Sequence, residues 1–135
     1  MSRFHPPGRL TVPELLAATG GELVRGPLEG RWTLCTDSRA LGDGAVFVAL
    51  RGEIHDGHAW VADALASHRA GALVEELPEG LPATVQGPVI RVKDTLTAFG
   101  DIARAFLLAQ GPSVAAVTGS VGKTTTRAML AAILE

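Results

Sequence analysis

The sequence predicts an α/β fold built on a small mixed or mostly parallel sheet, and three observations predict it. Short apolar runs bounded by turn residues recur at 45–50, 72–75 and 89–92, each of strand length and shorter than a helix needs. Stretches with apolar residues at helical spacing lie between them, and alternating strands and helices make parallel sheets because each parallel pair needs a crossover. The 135 residues are 47% apolar and 19% charged, which suits a packed domain and excludes a disordered chain.

The elements follow in order. The chain's start, to about Gly8, is expected to be mobile. Thr11 reads as an N-cap, with Pro13 and Glu14 in the first helical turn. Gly20 and Gly21 stop that helix. Residues 22–25 are a strand candidate ahead of a Gly26-Pro27 turn, and 32–36 alternate bulky and small polar side chains as a second strand. The turn Gly42-Asp43-Gly44 introduces the buried strand 45–50. Asp56 then caps a helix with a buried stripe of Trp60, Val61, Ala64, Leu65 and His68, and Gly71 ends it in the C′ manner. Strand 72–75 follows, then a Pro- and Gly-rich loop over 77–87, then strand 89–92. Asp94 caps a helix presenting Leu96, Phe99, Ile102, Ala103, Phe106 and Leu107 on one face, and Gly111-Pro112 ends it. Residues 114–117 read as a last apolar strand, followed by a Gly-rich loop and a helix carrying Met129, Leu130, Ile133 and Leu134. Trp32 and Trp60 are expected in the core rather than as a base-stacking platform, and Cys35 as a small buried residue of a strand.

Composition narrows the function classes. With 12 basic and 14 acidic residues the formal charge is −2, and no basic tract offers a nucleic-acid surface. A single cysteine forms no internal disulfide, so a reducing, cytoplasmic setting is expected. No secretory signal or membrane-spanning apolar stretch is present, so no membrane insertion is expected. His5, His55, His58 and His68 lack metal-site spacing, which argues against structural zinc.

The strongest single signal is the order strand, Gly-rich loop, helix around Gly122-Lys123-Thr124. Gly119 and Gly122 let the backbone turn several N–H groups into one concavity. The N-terminus of the following helix adds about half a positive charge. Lys123 has the reach for β- and γ-phosphates, and the Thr124 hydroxyl suits Mg²⁺. The general pattern G-x-x-x-x-G-K-[ST] lacks its first glycine, since that position is Val117. The loop alone points to a nucleoside triphosphate and little further.

Asp37-Ser38-Arg39 follows a strand end, where Arg39 and Ser38 either meet an anionic ligand or form an Asx turn with a local ion pair. Asp56-Gly57-His58 leaves the same choice open for His58.

Together these residues carry a resemblance. Thr36-Asp37-Ser38-Arg39, the run 42–53, Asp56-Gly57-His58 and Gly71-Ala72 resemble the N-terminal domain of Mur ligases, and Thr118-Gly119-Ser120-Val121-Gly122-Lys123-Thr124-Thr125 is similar to that family's ATP loop. The resemblance runs from about Leu10 to the chain's end and accounts for Val117. It implies an N-terminal Mur-ligase domain over 1–111, followed over 112–135 by the first strand, P-loop and helix of a truncated ATP-binding domain. It implies ATP and Mg²⁺ held by Gly119, Ser120, Val121, Gly122, Lys123, Thr124 and Thr125, with Lys123 neutralising phosphate charge as the catalytic residue and Thr124 on the metal. It implies contacts to the UDP part of the substrate from Thr36, Ser38, Glu53, Ile54 and His55.

The implied reaction is ATP-dependent amide formation in peptidoglycan precursor synthesis. ATP phosphorylates the carboxylate of a UDP-N-acetylmuramoyl peptide, and an amine displaces phosphate from the acyl phosphate. The loop's form looks most like the branch of the family that adds D-alanyl-D-alanine to the tripeptide. The alternatives are the sister branch that adds diaminopimelate or lysine, a non-catalytic UDP-binding module, and an unrelated P-loop NTPase. At full length a monomer is expected. Because the chain ends 12 residues after Lys123, these 135 residues alone are expected to be inactive, and the last strand and helix to be unusually exposed.

Overall fold

The computed structural model describes residues 8–134. The mobility expected of residues 1–7 concerns positions outside the described residues. A six-stranded sheet runs in the order β1-β3-β4-β5-β6-β2. Its strands are β1 (Leu10–Thr11), β2 (Glu22–Arg25), β3 (Arg31–Cys35), β4 (Ala45–Val48), β5 (Gly71–Val74) and β6 (Val89–Arg91). The central four, β3 to β6, are parallel, and the edge strands β1 and β2 run antiparallel to their neighbours. The expected mixed, mostly parallel sheet is therefore present.

The helices are α1 (Val12–Thr19), α2 (Val61–Ser67), α3 (Thr95–Gln110) and α4 (Lys123–Leu134). Thr11 and Glu14 form a reciprocal capping box at the start of α1, and Gly20 ends it in the left-handed conformation. Asp94 caps α3 by accepting the Thr97 N–H at 2.6 Å, and Gly111 closes it, also left-handed.

The period-two alternation of β4 divides the core into two layers. Ala45 and Phe47 face α2 with Val61, Ala64, Leu65, Ala72 and Val74. Val46 and Val48 face α1 and α3 with Val12, Leu15, Trp32, Leu73, Ile90, Ala98 and Ile102. Both faces of β4 and β5 are covered, which is why these strands read as unbroken apolar runs.

Several local expectations give way to this packing. Trp60 is 54% exposed rather than in the core, because it ends a 3-10 turn (Gly57–Trp60) ahead of α2. Gly71 opens β5, and α2 has already ended at Ser67. On α3 the buried residues are Thr95, Ala98 and Ile102, whereas Leu96, Ala103 and Leu107 are exposed. Cys35 is half-buried, its Sγ 3.1 Å from the Asp37 carbonyl. Residues 114–117 form no strand, since no neighbouring strand pairs with them. No residue from 111 to 134 is buried; Val114, Met129, Ile133 and Leu134 are exposed, with Val117 and Leu130 half-buried.

Candidate functional site

Parallel strands deliver their following loops to one edge of a sheet, and open α/β sheets hold ligands at that carboxyl edge. Here the loops after β3 and β4 enclose a groove of about 610 Å³, lined by Thr36, Asp37, Ser38, Arg39, Phe47, Leu50, His55, Gly57 and Trp60. Three of the expected substrate residues, Thr36, Ser38 and His55, thus meet in one place. They come from separate segments of the chain, brought together by the β3–β4 pairing Cys35↔Phe47.

One wall is a 3-10 turn, Ser38–Ala40. Asp37 caps it, accepting the Arg39 backbone N–H at 3.0 Å and the guanidinium Nε and Nη2 at 3.0 and 2.9 Å. The Arg39 side chain thereby holds the Asp37 carboxyl below its ordinary range. Of the two open readings of this segment the local ion pair is formed, and Arg39 also lines the groove.

The opposite wall is the loop after β4. Arg51 and Asp56 face each other as an isolated antiparallel bridge, and the Gly52 N–H donates to the His55 carbonyl at 2.8 Å. Glu53 and Ile54 therefore form the tip of a tight turn, with Ile54 88% exposed, and neither lines the groove. Gly57 lies so close to β4 that an added Cβ would stand 3.0 Å from the Ala49 Cα and from the Leu50 backbone. Its N–H donates to the Leu50 carbonyl at 2.8 Å.

Asp56 organises this wall. It accepts the His58 N–H at 3.0 Å and faces His58 Nδ1 at 2.7 Å and Arg51 Nε at 3.1 Å. The His58 backbone N–H, with help from the His58 ring and Arg51, brings its carboxyl down to about 2.

The Gly-rich loop is the second candidate. Gly119 has φ 147° and Gly122 φ 77°, conformations that need glycine. Helix α4 starts at Lys123, and the Thr126 N–H donates to the Gly122 carbonyl at 2.9 Å. Gly119, Ser120, Val121, Gly122, Lys123, Thr124 and Thr125 are all exposed. Among the described residues no group of three or more His, Cys, Asp or Glu is placed to hold a metal ion.

Sequence reading missed Trp60, Phe47, Leu50 and Gly57 as groove residues. The signal for Trp60 lay in Asp56-Gly57-His58, since an Asx cap followed by a 3-10 turn rotates Trp60 away from the stripe of α2.

A mixed sheet with helices on both faces defines the class as a layered α/β domain. No family model matches the chain. It is 42% identical over 102 residues to the UDP-N-acetylmuramoyl-tripeptide–D-alanyl-D-alanine ligase of Synechocystis sp., covering 76% of the chain and 22% of that protein. It is 40% identical over 101 residues to the UDP-N-acetylmuramoyl-L-alanyl-D-glutamate–2,6-diaminopimelate ligase of Cytophaga hutchinsonii, covering 72% of the chain and 20% of that protein. A crystal structure of MurF from Acinetobacter baumannii superposes with a TM-score of 0.81 at 34% identity, over 96% of this chain and 28% of that one. The chain belongs to the Mur ligase family and matches its N-terminal part. It spans less than a third of the length of these relatives.

Proposed function

We propose that the chain supplies the UDP-binding part of an ATP-dependent carbon–nitrogen ligase, one that adds D-alanyl-D-alanine to a UDP-N-acetylmuramoyl tripeptide in peptidoglycan precursor synthesis. The observation that carries this is the groove at the carboxyl ends of β3 and β4, in a chain 42% identical to a ligase of that name. Thr36, Ser38 and His55 offer hydrogen bonds there, and Arg39 offers positive charge to a diphosphate. Trp60 offers an exposed aromatic face on which a uracil ring stacks. Glu53 and Ile54, at the loop tip, serve the part of the substrate that leaves the groove.

In the same proposal, Gly119 to Thr125 hold the triphosphate of ATP. The positive φ angles of Gly119 and Gly122 and the helix start at Lys123 fit that group. Lys123 and the start of α4 set positive charge against the phosphates. Thr124 gives one oxygen to Mg²⁺, whose chemistry is to neutralise phosphate charge during transfer. The boundary near Gly111 belongs here too: it is supported by the end of α3 at Gln110 and by the lack of buried residues among the described residues 111–134. So does a monomeric, cytoplasmic setting; no helix among the described residues is long and apolar enough to cross a membrane.

Titration of the ¹⁵N-labelled chain with UDP, and separately with Mg²⁺ and ATP, tests the reading. UDP is expected to shift the amides of 36–39 and 55–60, and ATP those of 119–125. Trp60→Ala is expected to weaken UDP about tenfold, the loss of one stacked base. UDP shifts that bypass the groove, or none at all, would overturn the assignment. The relative that uses diaminopimelate favours a second reading. A protein carrying this chain would then turn over with diaminopimelate and a UDP-muramoyl dipeptide, and not with D-alanyl-D-alanine and the tripeptide.

A further inference from the structure

We infer that Arg51, His58, Glu75 and Thr95 are positioning residues, joined with Asp56 in a closed ring of polar contacts that holds the His55–Trp60 wall of the groove in place. None of these five lines the groove. The inference rests on the UDP reading above and adds residues that touch no substrate.

The contacts can be followed atom by atom. The Glu75 backbone N–H donates to His58 Nε2 at 2.9 Å, so that nitrogen carries no hydrogen. The ring hydrogen is then on Nδ1, which donates to Asp56 Oδ1 at 2.7 Å. Arg51 bridges both carboxylates, with Nε 3.1 Å from Asp56 Oδ2 and Nη1 2.9 Å from Glu75 Oε2. This closes the ring from Asp56 through His58, Glu75 and Arg51 back to Asp56. Thr95 anchors it to the core. Its N–H donates to Glu75 Oε1 at 3.0 Å, and its single hydroxyl hydrogen goes to the Ala49 carbonyl at 2.8 Å, closer than Glu75 Oε1 at 3.2 Å.

The ring joins three parts of the fold, the loop after β4, the end of β5 and the first residue of α3, beyond the point where the β4–β5 ladder ends with the Ala49 N–H on the Leu73 carbonyl at 3.0 Å. Thr95 is fully buried, and the side chains of His58 and Glu75 are 11% and 15% exposed. A carboxylate this enclosed needs both its cation and its N–H donors. Asp56 is also the cap of the turn that ends in Trp60. Moving the ring therefore moves His55 on one side and Trp60 on the other, which is how an outer layer of contacts sets binding geometry.

The test uses the 135-residue chain with Glu75→Gln, Thr95→Val and Thr95→Ser. Glu75→Gln keeps an oxygen for the Thr95 N–H but removes the charge that holds Arg51. Two-bond ¹H–¹⁵N spectra of the wild type are expected to show His58 as the Nδ1–H tautomer. In Glu75→Gln and Thr95→Val, amide protection of Gly52 and Gly57 should fall about tenfold while β4 and β5 keep theirs. UDP affinity should fall about tenfold in both, and Thr95→Ser, which keeps the hydroxyl, should behave as wild type. A wild-type Nε2–H tautomer, or unchanged Gly52 and Gly57 protection in Glu75→Gln, overturns the inference. So does wild-type UDP affinity in both variants. A wild-type chain that ignores UDP instead overturns the UDP reading, and the tautomer and exchange results then decide the ring alone.

Discussion

Asp56 shows what a single carboxylate does beside the groove. Its oxygens take up the His58 N–H, the His58 ring and Arg51, and its carboxyl falls from an ordinary 3.8 to about 2. A folded value below the unfolded one contributes stability that is complete above about pH 4 and is lost as pH falls towards 2. Asp56→Asn should therefore flatten the loss of stability over that window, as urea unfolding at stepped pH would show; wild-type steepness in the variant would contradict it. The side chain is 42% exposed, so added salt should shrink the difference. The Asp56 cap was legible in the sequence, because an Asx side chain before Gly-His announces a turn. Trp60 was not: its apolar character says core, and only the turn's rotation puts it in solvent.

Among the elements, those defined by local chemistry were legible. The capping box on α1 and the left-handed glycines at 20 and 111 depend on neighbours within four residues, so the sequence shows them directly. Elements defined by distant partners were not. Gly71 looks like a helix terminator, but it opens β5 because the chain entering β6 runs close beside it: an added Cβ would run into the Pro88 carbonyl. Its neighbour's N–H, on Ala72, donates to that same carbonyl at 2.8 Å. Gly71→Ala should accordingly destabilise the fold by about 1–3 kcal/mol, the usual cost of overpacking, read as a lower urea midpoint. Residues 114–117 are the converse case, with strand composition and no ladder to join. On α3 the helical period was right but the buried stripe was rotated, since Thr95 is drawn inward by Glu75 and Ala49.

For the whole molecule, stability is concentrated in the two layers around β4 and β5. Leu73 is 1% exposed and packed among Val12, Trp32 and Ile90, whereas Ile133 is 75% exposed. Leu73→Ala should cost about 2–5 kcal/mol, and Ile133→Ala should change stability by no more than about 0.5 kcal/mol. Equal effects in thermal or urea unfolding would show that α4 shares the core. The groove is also a property of the whole, since it exists only where the β3 and β4 ends meet. The sequence by itself determined the α/β class, the caps, the parallel β4–α2–β5 unit and the family, because periodicity, turn chemistry and motif order are carried by residues close together in the chain. The tertiary structure decided that Thr36, Ser38 and His55 share one groove, that Glu53 and Ile54 stand outside it, and that Trp60 faces solvent. It also decided that Arg51, Asp56, His58, Glu75 and Thr95 close into one ring. The shared groove and the ring's Glu75–His58 and Thr95–Ala49 contacts depend on strand order and register, which bring residues 17 and 46 positions apart within hydrogen-bonding distance, and no local pattern encodes that.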